Sequence, residues 1–442
     1  MTSSTVDFKT RGLWIFTIIW IGQVFSLLGT SMSNFGLTLW AYDVTQKATP
    51  LALIGFAFVT PMTLLGPFIG VLVDRGNRKL MMLLSDLTAA SVSLIILILL
   101  KLDLLQVWQL YPLAFIAGVM QGFQWPAYSA TISLMLPKQH YARANAMLEL
   151  AAAGSGVLAP LLAGSLIGSI GLQGLLLIDL CTASLAVLIL LLSPIPQPEV
   201  SEEGLAARGT FLHELGFGFR YIFQRPGLLG LQLVFMGGNF FNGLAYAVFP
   251  AMILARTQQN AVLFGQVNAL GAVGGVLGGL LMSFWGGPKK RVHGVLLGWV
   301  LTGLFAQSLL GMVQSLLGWS AGLLIGGLTG PLINGSNQAI WQAKVPPDLQ
   351  GRVFGTRRFI AWLVSPLAQL LAGPLADKVF EPALLQPGAW SWLVGSGPGA
   401  GMGLLFVLTG LAAALVGAAG YLFPVVRDVE TLLPDHAAVM EG

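Results

Sequence analysis

Four sets of polar side chains recur at helical spacing within otherwise apolar sequence. The first is Gln23, Ser26, Thr30, Ser33 and Asn34; the second is Gln121, Gln124 and Tyr128. The third is Gln232, Asn239, Asn242 and Tyr246, and the fourth Asn334, Asn337, Gln338 and Trp341. In the first three, steps of three and four residues keep the side chains on one helical face. Amides and hydroxyls donate and accept hydrogen bonds without carrying charge, so a space they line suits a bulky amphipathic or apolar molecule. Trp125, Tyr128, Tyr246 and Trp341 add aromatic surface. A small anion would require a cation at mid-depth, and no Lys or Arg falls there. Taken singly, each polar residue is explained equally well by a hydrogen bond between packed helices.

Three acids, Asp86, Glu149 and Asp179, fall about five residues inside the end of an apolar run, where a charge costs less than at the centre. Proton-coupled work needs a carboxylate whose proton affinity burial or neighbours can move. Glu149 and Asp86 are the expected proton-coupling residues. A second role stays open for Glu149: a lock with Arg358, its mate in the internal repeat described below. The single cysteine, Cys181, cannot form an internal disulfide, and no Cys/His cluster has metal-ligand spacing. HExxH, GxSxG and GxxxxGK[ST] are absent. The sequence therefore predicts no metal, no cofactor and no enzyme chemistry.

Apolar helices must position these groups. Of 442 residues, 55% are hydrophobic and 9% charged, against about 25% charged in ordinary soluble domains. Segments of the roughly 20 apolar residues that cross a bilayer recur at 13–40, 51–73, 80–100, 108–135, 144–169, 174–193, 227–254, 263–285, 292–313, 317–343, 354–378 and 402–424. The expected fold is an all-α membrane protein of 12 transmembrane helices. The basic start and the apolar stretch after it read as a retained first helix, because that stretch is too long for a signal-peptide core and lacks a small-residue cleavage site. The net charge of +4 raises the question of a nucleic-acid partner. Of the 22 Lys and Arg, however, only Lys47, Lys101, Arg256 and Lys378 fall in one alternate set of loops. That bias reports topology, with both termini cytoplasmic, and leaves no nucleic-acid partner.

Residues 194–226 interrupt the pattern with PIPQPEVSEEG and then FLHELGFGFRYIF, whose Phe211, Leu215, Phe219 and Ile222 share one face, as in a helix lying in the membrane interface. Displacing the sequence by 209 residues brings Gln23 onto Gln232, Gly118 onto Gly327, Pro137 onto Pro346, Arg143 onto Arg352, and Leu161-Leu162-Ala163-Gly164 onto Leu370-Leu371-Ala372-Gly373. The chain thus reads as two parallel, pseudo-symmetric six-helix bundles, 1–193 and 227–424, joined by a cytoplasmic linker at 194–226 and followed by a tail at 425–442. Such repeats hold a substrate near the bilayer midplane and expose it alternately to either side. Gly271, Gly275 and Gly279 are expected to let helices approach closely.

The loop GVLVDRGNRK at 70–79 resembles the signature of the major facilitator superfamily between its second and third helices. The resemblance implies that Asp74, with Arg75, Arg78 and Lys79, closes a cytoplasmic gate against the eleventh helix, where Arg352 and Arg358 lie. In the second half, SFWGGPKKR has Ser283 where the repeat would place the acid. YARANAM (141–147), GFRYIFQRPGLLG (218–230), GRVFG (351–355), AGPLADKVFEP (372–382) and GSGPGAGMGLLF (395–406) are similar to the drug:proton antiporter-3 branch, which includes macrolide-efflux proteins. The likeness spans nearly the whole chain. It implies a multi-pass protein of a bacterial cytoplasmic membrane that exports a small molecule in exchange for protons; the protein is expected to be a monomer. It also implies a substrate cavity lined by the first, fourth, seventh and tenth helices. An importer or facilitator with the same fold stays open.

Overall fold

The computed structural model describes residues 3–136, 140–195, 211–346 and 349–435. Every regular element among them is helical. In the first half these are α1 (Ser3–Thr45), α2 (Ala48–Arg75), α3 (Arg78–Lys101), α4 (Val107–Met135) and α5 (Tyr141–Leu192). After α6 (Phe211–Phe223) come α7 (Pro226–Arg256), α8 (Ala261–Trp285), α9 (Arg291–Met312) and α10 (Leu316–Lys344). Next, α11 runs as Gln350–Trp362 and Ser365–Leu375, passes through a π turn at Ala376–Phe380 and finishes at Glu381–Leu384; α12 is Ala400–Leu422.

All twelve predicted spans fall on these helices. Ten helical stretches among the described residues are long and apolar enough to cross a membrane. One of them, Met147–Leu192, contains two predicted spans, and α4 carries the span outside the ten. The break inside α5 is Gly171, with φ of 65° and ψ of −177°, a conformation that is open essentially only to glycine.

The starts and stops follow local chemistry. Asn77, Asn260 and Ser315 each accept from a backbone N–H three residues on, which satisfies an orphan donor at the starts of α3, α8 and α10. Gly286, in the left-handed region, ends α8. α11 has Pro374 two residues before its π turn, consistent with a local loss of regular helical bonding.

The chain packs as two units. One contains the residues up to Ala41 and those from Ala57 to the end of α5; the other contains Tyr42–Phe56 and everything from α6 onward. The first unit has a core of Phe16, Ile19, Ile69, Met82, Tyr128, Ile132 and Leu190. The second is built around Leu228, Leu231, Val295, Trp299, Ile340, Trp341 and Val353.

Within the second unit, the backbone N–H groups of Ala48 and Thr49 donate to the Asp377 carboxylate at 2.9 and 2.7 Å. The carboxylate of α11 thereby caps the N-terminus of α2. In α6, Ile222 and Tyr221 are buried in that unit's core and the Phe219 ring meets Phe359 edge-on at 6.3 Å; the side chains of 211–215 lie outside the described residues. Past α12, two short helices, Pro424–Arg427 and Val429–Leu432, fold back so that Val426 and Val429 join the same core. Lys344, only 3% exposed at its side chain, donates to the carbonyls of Glu430 and Leu433 and pairs with Asp435 at 2.8 Å.

The glycine expectation needs correction. A Cβ on Gly274 or Gly278 would lie 2.8 Å from α10 backbone, and one on Gly327 would lie 2.6 Å from α8 backbone. At Gly275 and Gly279 an added Cβ meets nothing within 4 Å, and at Gly271 it makes ordinary contact at 3.5 Å. At roughly 100° per residue, stepping from 274 to 275 rotates the Cβ position off the shared face.

Candidate functional site

Residues of the second unit line a half-open cavity of about 510 Å³. From α7 it takes Phe235, Asn239, Asn242 and Tyr246; from α10 it takes Gly326, Gly330, Ile333 and Asn334. These four α7 positions recur at steps of three and four and so share a face. Trp299 and Thr302 come from α9, and Trp362, Ser365 and Gln369 from α11. Leu51, Ala52 and Gly55 at the start of α2 complete the lining, held there by the Asp377 cap described above. Thr302 opens the π turn of α9. No lining side chain is charged.

Several polar groups are committed to structure and others are free. Asn239 Nδ2 donates to the Ala361 carbonyl at 3.1 Å, which ties α7 to α11. Thr302 and Thr329 share a hydroxyl bond at 2.7 Å. Asn334 bonds back to Gly330. The Trp299 indole N–H is buried with no hydrogen-bond partner, while its ring meets Phe235 edge-on at 5.8 Å. No hydrogen bond engages the Asn242 amide among the described residues. The wall therefore offers flat aromatic surface with a few unspent donors and acceptors, as small-molecule sites generally do.

The fourth polar set divides. Asn334 faces the cavity, but Asn337 and Trp341 are buried and bond to each other at 3.1 Å. Gln338 accepts from the Arg357 guanidinium at 2.6 Å. Gln232, 1% exposed, donates to the Arg357 carbonyl at 3.0 Å. Gln338 and Gln232 thus tie α10 and α7 to α11, the Asn337–Trp341 bond lies within α10, and none of the four lines the cavity.

The first unit gathers a different group. Gln23 Nε2 donates to Asp86 Oδ2 at 2.7 Å, and Gln124 Nε2 donates to Asp86 Oδ1 at 2.9 Å and to Gln23 Oε1 at 2.8 Å. Asp86 is 6% exposed, and the buried Tyr128 hydroxyl and Gln124 Oε1 lack partners. A second buried acid, Asp179, accepts from Thr30 at 2.8 Å and Ser93 at 2.6 Å. Ser26 is buried, Ser33 donates to the Leu175 carbonyl, and Asn34, Gln121 and Trp125 are exposed. Glu149 and Arg358 are both exposed.

Of the expected gate residues, Lys79 donates to the carbonyls of Leu191 and Ser193 at 2.9 and 2.8 Å, closing the end of α5. Arg78 is partly buried. The side chains of Asp74, Arg75 and Arg352 lie outside the described residues.

A helical membrane protein with an uncharged, amide-and-aromatic cavity inside one unit has the build of a small-molecule transporter. The chain belongs to the Major Facilitator Superfamily, whose family model matches residues 19–368. It is therefore a transporter rather than an enzyme. It is 26% identical over 370 residues to macrolide efflux protein A of Streptococcus pyogenes, covering 82% of this chain and 90% of that protein. To the multidrug efflux pump Tap of Mycolicibacterium fortuitum it is 24% identical over 370 residues, covering 80% and 88%. Among solved structures, a bacterial homolog of the human lysosomal transporter Spinster, inward-facing and occupied, aligns with a TM-score of 0.66 at 16% identity, covering 95% of this chain and 97% of that one. At that identity the likeness shows the fold alone.

Sequence reasoning missed the cavity positions Trp299, Thr302, Trp362, Ser365 and Gln369 because each stands alone among apolar neighbours, and Leu51 and Gly55 because nothing in their type marks a cavity wall. It read Arg357 only as a topological charge.

Proposed function

We propose that this protein exports a bulky amphipathic molecule from a bacterial cytoplasm by alternating access, with both termini on the cytoplasmic side. The observation that carries this reading is the uncharged cavity wall, in which the Asn242 amide has no hydrogen bond among the described residues and aromatic side chains stand beside it. Such a wall rewards apolar area and a few hydrogen bonds, and sets no fixed charge against a weakly polar drug. The efflux proteins among the relatives favour outward movement.

Asp86 is the proposed proton carrier. An ionised carboxylate only accepts hydrogen bonds, and the amides of Gln23 and Gln124 supply donors. Once protonated it must also donate, and rotating either amide turns its oxygen toward the carboxyl. The same three side chains can therefore satisfy both states. Glu149, being exposed, has no such surroundings. Asp74 and the basic residues after it remain the proposed cytoplasmic gate. The test is accumulation of a drug panel in cells overexpressing the protein, with and without a protonophore. Accumulation unchanged by expression, or reduced equally in both conditions, would defeat the exporter or its coupling respectively.

A further inference from the structure

The loop SFWGGPKKR, the second-half counterpart of residues 70–79, lacks the acid of its first-half relative and carries a different chemistry. Along α8, Val276, Leu280 and Phe284 form one row at steps of four, with Leu277 and Leu281 in the row beside it, and all five are between 42 and 88% exposed. In a helix that crosses a bilayer, an exposed apolar stripe of this kind faces acyl chains. Phe284 and Trp285, 88 and 56% exposed, end the stripe. Amphipathic rings such as that of Trp285 collect at the headgroup level of a membrane, so the end of α8 marks that level.

Three cations follow at once. Gly286 and Gly287, both in the left-handed region, and Pro288 turn the chain, and Lys289, Lys290 and Arg291 lead into α9. All three are exposed. Only five residues separate the two helices, so these side chains stay within reach of the plane that Trp285 marks. The Val292 N–H donates to Glu430 Oε2 at 2.8 Å. The Glu430 carboxylate therefore takes up the positive end of α9, and the pull on any further anion comes from the three side chains. The same bond places the loop on the membrane face of the C-terminal segment, which the reading above makes cytoplasmic. In the first half, by contrast, Lys79 spends its ammonium on the carbonyls of Leu191 and Ser193.

We propose that the α8–α9 turn binds the headgroup of an anionic phospholipid, with Lys289, Lys290 and Arg291 meeting its phosphate and Phe284 and Trp285 lying against its glycerol and upper acyl chains. Cations clustered at the cytoplasmic end of a span attract anionic lipid, and a guanidinium matches phosphate geometry with paired N–H donors. A soluble phosphate would satisfy the basic half of this surface and leave the aromatic half in water. The site lies outside the cavity and depends neither on the substrate nor on the direction of transport.

The probe is dioleoylphosphatidylglycerol, titrated into the purified full-length protein in a nonionic detergent, with dioleoylphosphatidylcholine and glycerol 3-phosphate as comparison probes and the melting temperature as readout. Phosphatidylglycerol raises the melting temperature in a saturable way, and the other two do not. In the triple variant Lys289→Gln/Lys290→Gln/Arg291→Gln the midpoint of that rise moves up at least about tenfold. Removing as much charge from the opposite set of loops, as Lys47→Gln/Lys101→Gln/Lys378→Gln, leaves the midpoint in place. Phe284→Gln weakens the response several-fold with every cation present, and serves if the α8–α9 triple variant does not fold. Equal responses to the two lipids, an equal response to glycerol 3-phosphate, equal losses in the two triple variants, or a midpoint unmoved by the α8–α9 triple variant or by Phe284→Gln overturns the proposal.

Discussion

Gln23 Nε2 lies 2.7 Å from Asp86 Oδ2 and donates to it, so a carboxylate of α3 takes its first hydrogen bond from an amide of α1. The second comes from Gln124 of α4. Three helices of one unit thus meet at a single group that can gain or lose a proton.

If that group carries the proton, Asp86→Asn abolishes export driven by a pH gradient in vesicles while substrate exchange down its own gradient persists. Glu149→Gln behaves as wild type in the same assay. The reverse outcome, with Asp86→Asn still driven by the gradient, would sink the assignment.

Asn239 and Asn242 face the same cavity and should respond differently to truncation. Asn239→Ala loses a bond to the Ala361 carbonyl and costs about 1 kcal/mol of stability, visible as a lower melting temperature. Asn242→Ala leaves stability within about 0.5 kcal/mol but changes which compounds are exported. A resistance profile identical to wild type in Asn242→Ala would remove that residue from the site.

The contact between α8 and α10 discriminates sharply between neighbouring glycines. Gly278→Ala and Gly327→Ala force backbone apart and cost on the order of 1–3 kcal/mol. Gly275→Ala and Gly279→Ala meet open space and are neutral or stabilising by up to about 1 kcal/mol. Thermal melts of the four variants in one detergent decide the matter; equal losses at all four would contradict the packing.

Asp377→Ala removes the cap from α2 and should cost about 1 kcal/mol. A cysteine placed at Thr49 in that background reacts faster with a water-soluble maleimide than it does beside the intact aspartate. An unchanged labelling rate would show that the cap does not hold this turn.

The helices were legible because hydrophobic length is a one-dimensional property: runs such as 80–100 and 317–343 need no partner to be recognised. The cavity wall was legible only in part. Asn239, Asn242, Tyr246 and Asn334 announce themselves as polar positions in apolar helices, and the structure puts all four on the cavity. Gln232 and Asn337 carry the same mark and yet pack between helices, since composition cannot say which side of a stripe meets a neighbour. Trp299 and Gln369 carry no stripe at all. The choice between Gly274 and Gly275 is likewise a matter of helix rotation, which spacing among many glycines does not fix.

The placement of Tyr42–Phe56 bears on any attempt to divide this chain at its acidic linker. A fragment beginning at Phe211 would leave behind Leu51, Ala52 and Gly55, and with them one side of the cavity. Asp377 would lose both amides it holds. Separately expressed halves should therefore regain ligand binding only when mixed, and a minimal C-terminal version would need the α1–α2 hairpin grafted back.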